Sequence, residues 1–261
     1  MDSRLIPSFC FLVIFGHGAV VNGASILTEK PSFLKTCATT DPSFSSCLTN
    51  NFQGLFQQWK SGIPGLKSVG TLEPVHVKKI KFHHKQPPVD LHILLQKVEI
   101  NGLGDVKGKQ TSFNPKTLTA TVVLVVPKLK LHSDYAVKGN TRSFTLDGSG
   151  KLDLSADNLV IHLKLQLKLR QTDGYTFADI DKVNLDITEV GDFHIHLDNL
   201  FNGQKELEDT VNNFLNSNWR SFYEAVRPGI SAAIEAVLKE RLAKVFASIP
   251  ANYFIANISS L

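Results

Sequence analysis

Cysteine is scarce, catalytic signatures are missing, and only one apolar run stands out; each absence narrows what this chain can do. Three cysteines occur in 261 residues, with no further Cys or His at ligand spacing around them, which argues against a thiolate metal centre. No glycine-rich phosphate loop, HExxH or dinucleotide fingerprint is present. Gly148-Ser149-Gly150 lacks the G-x-S-x-G frame of a nucleophile elbow and is expected to be a hairpin turn. A lipid-processing enzyme would need a nucleophile, a base and an oxyanion hole converging on one pocket, and no residue pattern supplies them. The net charge is only +4, and no dense basic run with interleaved aromatics points to nucleic acid. Lysines alternate along apparent strands, as on a solvated sheet face, which leaves at most a weak attraction to anionic membrane surfaces.

The one conspicuous apolar run lies at the start. Arg4, the apolar centre Phe9 to Phe15 and the small residues of Val21-Asn22-Gly23 read as a secretory signal peptide over residues 1–23, cut after Gly23. A membrane anchor fits less well, because the run falls short of the roughly 20 residues a bilayer requires and is interrupted at Gly16-His17-Gly18. Removing Asp2 with Arg4 cancels in charge, so the processed chain stays at +4. Removing Cys10 leaves Cys37 and Cys47, for which the only intramolecular bridge joins the two. A loop this short contributes about 3 kcal/mol in the loop-closure picture. Asn257-Ile258-Ser259 is a glycosylation sequon near the C-terminus. The expected product is a secreted, extracellular monomer.

No linker, low-complexity tract or composition break divides residues 24–261, which are read as one domain. Phe44, Leu48, Phe52, Leu55, Phe56 and Trp59 mark an amphipathic helix, stopped by Gly62-Ile63-Pro64-Gly65. A second, longer helix is expected from about Gln204 to Phe246, kinked or broken at Pro228-Gly229. Its stripe comprises Leu207, Val211, Phe214, Leu215 and Phe222, then Ile230, Ile234, Val237 and Leu238. Between the helices, strict alternation marks strands, as in Leu118 to Val126 and Leu159 to Leu169.

The parity of these strand stripes slips. Leu152, Leu154 and Ala156 give way to odd positions from Leu159; Leu91, Ile93 and Leu95 give way to Val98 and Ile100; Val75 and Val77 give way to Ile80 and Phe82. A one-residue slip turns the wrong face inward unless a bulge or bend absorbs it. Helices flanking a run of strands make an α+β chain, and the repeated slips imply a strongly curved, twisted sheet, of a kind that can wrap around a long helix instead of lying flat beside it.

The segment Asp198 to Trp219, with Asn199-Leu200-Phe201, Gly203, Asn212 and Leu215-Asn216, resembles the takeout and juvenile-hormone-binding family of insect secreted proteins. Further landmarks follow in the family's order: Gly62-x-Pro64-x-Leu66, Leu72-Glu73-Pro74, Gly102-Leu103, Pro127-x-Leu129, and Tyr135 with Gly139. Glu73 stands where the family usually has Asp, and His132-Ser133-Asp134 replaces a turn that often contains glycine. The resemblance implies a strongly curved antiparallel sheet wrapped around the long C-terminal helix, an elongated, TULIP-like super-roll with a tubular lipid cavity, a Cys37–Cys47 disulfide, and a carrier of juvenile hormone, another terpenoid or a fatty-acid-like molecule, without a cofactor. Family members have ties to circadian output, feeding and mating.

For such a carrier the expected wall comprises Leu48, Phe52, Val122, Leu124, Leu163, Leu165, Phe214, Phe222 and Ile234, with Tyr135 as polar anchor. Each ligand methylene buried there contributes about 0.8 kcal/mol. The opposing expectation is a tube filled by its own side chains, in a secreted protein that signals through a receptor or membrane surface. The asparagines at 212, 213, 216 and 218 either donate hydrogen bonds to sheet edges or a ligand head group, or line the wet face; a structural role is expected, because the pattern belongs to the segment that resembles the family. His194 and His196, with Asp192 and Asp198 at the same parity, are read as a polar outer face, and no role is assigned to His83 and His84.

Overall fold

A computed structural model describes residues 12–13, 26–86, 89–140 and 145–258. The cleavage site after Gly23 and nearly all of the expected signal segment lie outside these residues, as does Ser259 of the sequon. Leu12–Val13 forms a two-residue strand, β1, beside Ile80 and Lys81. Helix α1 spans Phe44–Trp59 and buries Leu48, Phe52, Leu55, Phe56 and Trp59, the stripe that its spacing predicts. Cys37 and Cys47 form a disulfide that ties α1 to the segment before it.

Seven longer strands follow: β2 (Val75–Gln86), β3 (Val89–Asn101), β4 (Lys107–Asn114), β5 (Thr119–Asn140), β6 (Thr145–Thr172), β7 (Tyr175–Glu189) and β8 (Asp192–Leu197). All pair antiparallel, in the order β1-β2-β3-β5-β6-β7, with β4 also on β5 and β8 also on β6. β5 and β6, with 22 and 28 residues, run through both halves of the sheet. One half joins β4 and β7 to them; the other joins β2, β3 and β8.

The halves meet where the parity slips. Inward residues of β5 change from Ala120–Val126 to Leu129–Val137, and those of β6 from Leu152–Ala156 to Leu159–Leu167, across the pairs Val126↔Leu159 and Lys128↔Asp157. Pro127 has no N–H for the ladder, and Asn158 takes a left-handed φ of 53°. Both strands slip together, so the ribbon bends without losing register. β2 and β3 do the same around Lys97, whose φ is 51°. True register shifts fall between β3 and β5, β4 and β5, and twice between β6 and β7. Bends and bulges together curl the sheet, as the slips predict.

The C-terminal helices are α2 (Lys205–Ser217) and α3 (Trp219–Ser248). Of the kink or break expected at Pro228-Gly229, the break does not occur: α3 runs through Pro228, and the interruption sits at Asn218. Pro228 and Glu224, whose carbonyl loses its helical N–H partner, are both exposed residues, a setting in which water can replace the missing N–H and the helix need not break. α3 lies along β7 with β8 and β2 at its flanks. Polar side chains fasten it to the edge of β7: Glu235 accepts from the Leu185 N–H, and Arg227 donates to the Ile187 carbonyl.

The landmarks Glu73, Gly102 and Pro127 converge on one junction. The Glu73 carboxylate accepts N–H bonds from Gly102 and Gly104 at 2.9–3.0 Å. A Cβ on Gly102 would lie 1.9 Å from the Lys128 carbonyl oxygen, which explains why glycine stands there. His132-Ser133-Asp134 forms no turn; the residues continue β5 and pair with Asp153, Leu152 and Lys151.

Candidate ligand-binding site

The sheet's concave face carries most of the expected wall. Val122 pairs with Leu163 and Ala120 with Leu165 across β5 and β6, and with Leu124 these side chains are buried. At the α1 end they meet Leu48 and Phe52. Here a cavity of about 40 Å³ lies among α1, the strands and the C-terminal segment, lined by Leu48, Phe52, Thr111, Leu165, Phe246 and Phe254 among others. The structure thus brings Leu48, Phe52 and Leu165 to one space. Among the described lining residues Thr111 adds the one hydroxyl; it is fully buried and its Oγ1 has no hydrogen-bond partner among the described residues. Periodicity gives no hint of this residue, since nothing in the pattern K-G-K-Q-T-S-F distinguishes it.

The other half of the interior is less tightly covered. Phe82, Ile93 and Leu95 share the inward parity of β2 and β3 yet stay half-buried, as do Phe222, Ile230, Ile234 and Leu238 on α3. Phe222 packs on Phe193 with ring centroids 6.2 Å apart. Two buried hydroxyls in the interior, Ser133 and Tyr223, lack partners. Burial pushes the Tyr223 phenol up to about 12, so it stays protonated and able to donate.

Two residues of the expected site, Phe214 and Tyr135, are placed otherwise. Phe214 is 65% exposed, and Leu207 on the same face is 47% exposed. Helix α2 turns its polar side inward instead, because Glu208 and Asn212 satisfy backbone groups that would otherwise be buried unpaired. Asn212 bonds both the N–H and the carbonyl of Leu197, and Asn216 does the same for Ile195, at 2.8–3.0 Å. The amides therefore act as an extra strand along β8, the structural role expected for two of the four asparagines. Tyr135 is buried, but its hydroxyl donates to the Asp198 carbonyl at 2.8 Å. That bond occupies the proton assigned to a ligand.

Tyr135 belongs to a knot around the Asp198–Gly203 turn. Gly148 and Gly150 are not a hairpin turn; they sit inside β6, opposite Val137 and Tyr135. Their missing side chains let the carbonyls of Leu200 and Asp198 approach the sheet. Asn199 and Asn202 donate to the carbonyls of Ser149 and Asp147. Glu208 accepts from Lys205 and from the N–H groups of Asn199 and Leu200, which together hold its carboxyl below its usual 4.5. A depressed carboxylate stabilises the fold above its unfolded pKa and loses that contribution as pH falls through the folded value. Glu208→Gln is accordingly expected to lower stability at neutral pH and to flatten its decline below about pH 4.5, as read by urea unfolding across pH.

His194 and His196 lie on β8, and His196 Nε2 is 3.0 Å from Asp198 Oδ1. Asn257 is exposed, with Ile258 buried behind it. No helix among the described residues is long and apolar enough to cross a membrane.

A curled sheet on a long helix, with an apolar interior and a few hydroxyls, is an architecture suited to binding an apolar molecule. The comparisons place it further. The profile of the haemolymph juvenile hormone binding protein (JHBP) family matches residues 10–256, and the chain belongs to that family, a non-enzymatic family of binding proteins. It is 28% identical over 238 residues to the circadian clock-controlled protein daywake of Drosophila melanogaster, covering 86% of this chain and 87% of the relative. The Drosophila yakuba daywake is 26% identical over 236 residues, with the same coverage of both chains. Takeout 1 of Epiphyas postvittana superposes with a TM-score of 0.72 at 22% identity, covering 85% of this chain and 100% of that one, which establishes the shared fold.

Proposed function

We propose that this protein is a secreted carrier that holds one small lipophilic molecule between the concave sheet and α3. The observation that carries the reading is the half-buried apolar wall of Phe82, Ile93 and Leu95 on the sheet and Ile230, Ile234 and Leu238 on the helix. A fully packed core would bury these positions as deeply as Leu163 and Leu165. Ligand sites typically enclose a few hundred cubic ångströms, so the cavity of about 40 Å³ beside Thr111 suits a chain end, and the rest of the molecule extends along the half-buried wall. The family's name supports juvenile hormone, another terpenoid or a fatty-acid-like chain as the cargo, and haemolymph as its compartment. The daywake relatives support a role in circadian physiology. In this reading residues 1–23 are removed and residues 24–261 form the carrier domain.

Native mass spectrometry of the secreted chain is expected to show a discrete mass excess that organic extraction removes. Thr111→Val, which exchanges the unpaired hydroxyl for a methyl group of similar size, is expected to reduce retention of an oxygen-bearing ligand. A bare mass, with no thermal shift on adding terpenoids or fatty acids, overturns the carrier. That outcome would favour a secreted interaction protein, for which the exposed Leu207 and Phe214 on α2 are the supporting observation.

A further inference from the structure

The outer face of the β2–β3 hairpin gathers two imidazoles and a carboxylate that neither the fold nor the carrier reading uses. His83 and His92 are directly opposite in the ladder, and Asp90 lies two residues from His92 on the same face. His83 Nε2 is 2.9 Å and His92 Nε2 3.5 Å from the same oxygen of Asp90. The rings stack with centroids 3.9 Å apart. The three ligand atoms all lie within 4.8 Å of one another.

From this geometry we infer that His83, Asp90 and His92 form a binding site for a divalent transition-metal ion, with zinc as the best-matched candidate. A tetrahedral zinc ion with bonds of about 2.0–2.1 Å keeps its donors about 3.3–3.4 Å apart, and the two measured nitrogen–oxygen separations bracket that value. Two imidazoles and one carboxylate are a borderline donor set suited to zinc or copper and poorly suited to calcium or magnesium. All three side chains are partly exposed, so an ion can enter and water can complete its coordination. The rings stack within 15° of parallel, so each imidazole must swing out of the stack about its side-chain torsions before both lone pairs point at one ion. In the metal-free form the Nε2–H of His83 bonds Asp90; ligation requires that proton to move to Nδ1, which leaves the lone pair on Nε2 for the ion.

The neighbouring charges allow this. On the same sheet face, Lys85 pairs with Asp90 in the ladder and Lys138 with His92, but the Lys138 ammonium is drawn to Asp147 at 3.7 Å. The second His–acid cluster, His196, Asp198 and Glu208, is a poorer host because Lys205 and two backbone N–H groups already occupy the Glu208 carboxylate.

The test is calorimetric titration of zinc chloride into the metal-free secreted protein. Saturable uptake of one ion per chain is expected, weakened by about tenfold or more in His92→Gln and in Asp90→Asn, since loss of even an outer-shell partner commonly lowers affinity 10–100-fold. His196→Gln is expected to leave the affinity unchanged. Copper(II) bound to the unmutated protein offers a readout that needs no variant: its paramagnetic resonance spectrum should report two nitrogen donors. Uptake that fails to saturate, that persists unchanged in His92→Gln, or that shows one nitrogen or none on copper overturns the site.

Discussion

Gly150→Ala is expected to destabilise the protein by about 3 kcal/mol or more, beyond the usual range for overpacking. The added Cβ would stand 2.0 Å from the Asp198 carbonyl oxygen and 2.9 Å from its carbon. Both belong to backbone, so no flexible side chain can yield. The same carbonyl accepts the Tyr135 hydroxyl, and pushing it away leaves a buried phenol unpaired. Gly148→Ala meets the Leu200 carbonyl oxygen at 2.2 Å and should behave alike. Gly174→Ala separates clash from backbone strain: nothing lies within 4 Å, but its φ is 77°, so a loss of only about 1–2 kcal/mol is expected. Urea unfolding of the three variants checks this, and near-equal losses for Gly150 and Gly174 would refute the clash.

The paired replacement Asn212→Ala with Asn216→Ala is the second large effect. Each asparagine satisfies one N–H and one carbonyl on β8, at Leu197 and Ile195. Leaving a buried backbone group unpaired costs about 1–3 kcal/mol. Each single variant should therefore lose about that much, and the double variant somewhat less than the sum, because both act on one strand edge. Hydrogen exchange supplies the specific signature: the amides of Ile195 and Leu197 should lose protection before the rest of the sheet does. Asn218→Ala is the contrast, since its amide reaches only the Phe214 carbonyl from an exposed position, and a change within about 0.5 kcal/mol is expected. A loss there equal to that at Asn212 would point to helix propensity instead of edge capping.

Much of the architecture was legible because burial imposes a period. The Leu48–Phe52–Phe56 spacing located α1, and the jump from Ala156 to Leu159 located the bend in β6, which the register then carries across to β5. The asparagines signalled unusual chemistry because they are poor helix formers, and the family landmarks gave the fold. Less was legible in the site. The apolar spacing of Leu207 and Phe214 suggested an inward face, yet the unpaired edge of β8 outweighed it and drew Asn212 inward. Gly148-Ser149-Gly150 looked like a turn because glycine's two uses, positive φ and close approach, are identical in sequence. His83 and His92 are nine residues apart, and only the register of the hairpin makes them neighbours.

The sequence by itself thus determined the α+β class, the curled sheet, the single disulfide and the family, since each rests on local spacing or on an ordered set of motifs. Tertiary structure alone decided which hydroxyl is spent on backbone and which is left unpaired, which helix face meets the interior, and which histidines meet an aspartate. Those outcomes depend on partners distant in the chain, and on the cost of leaving any buried polar group without one.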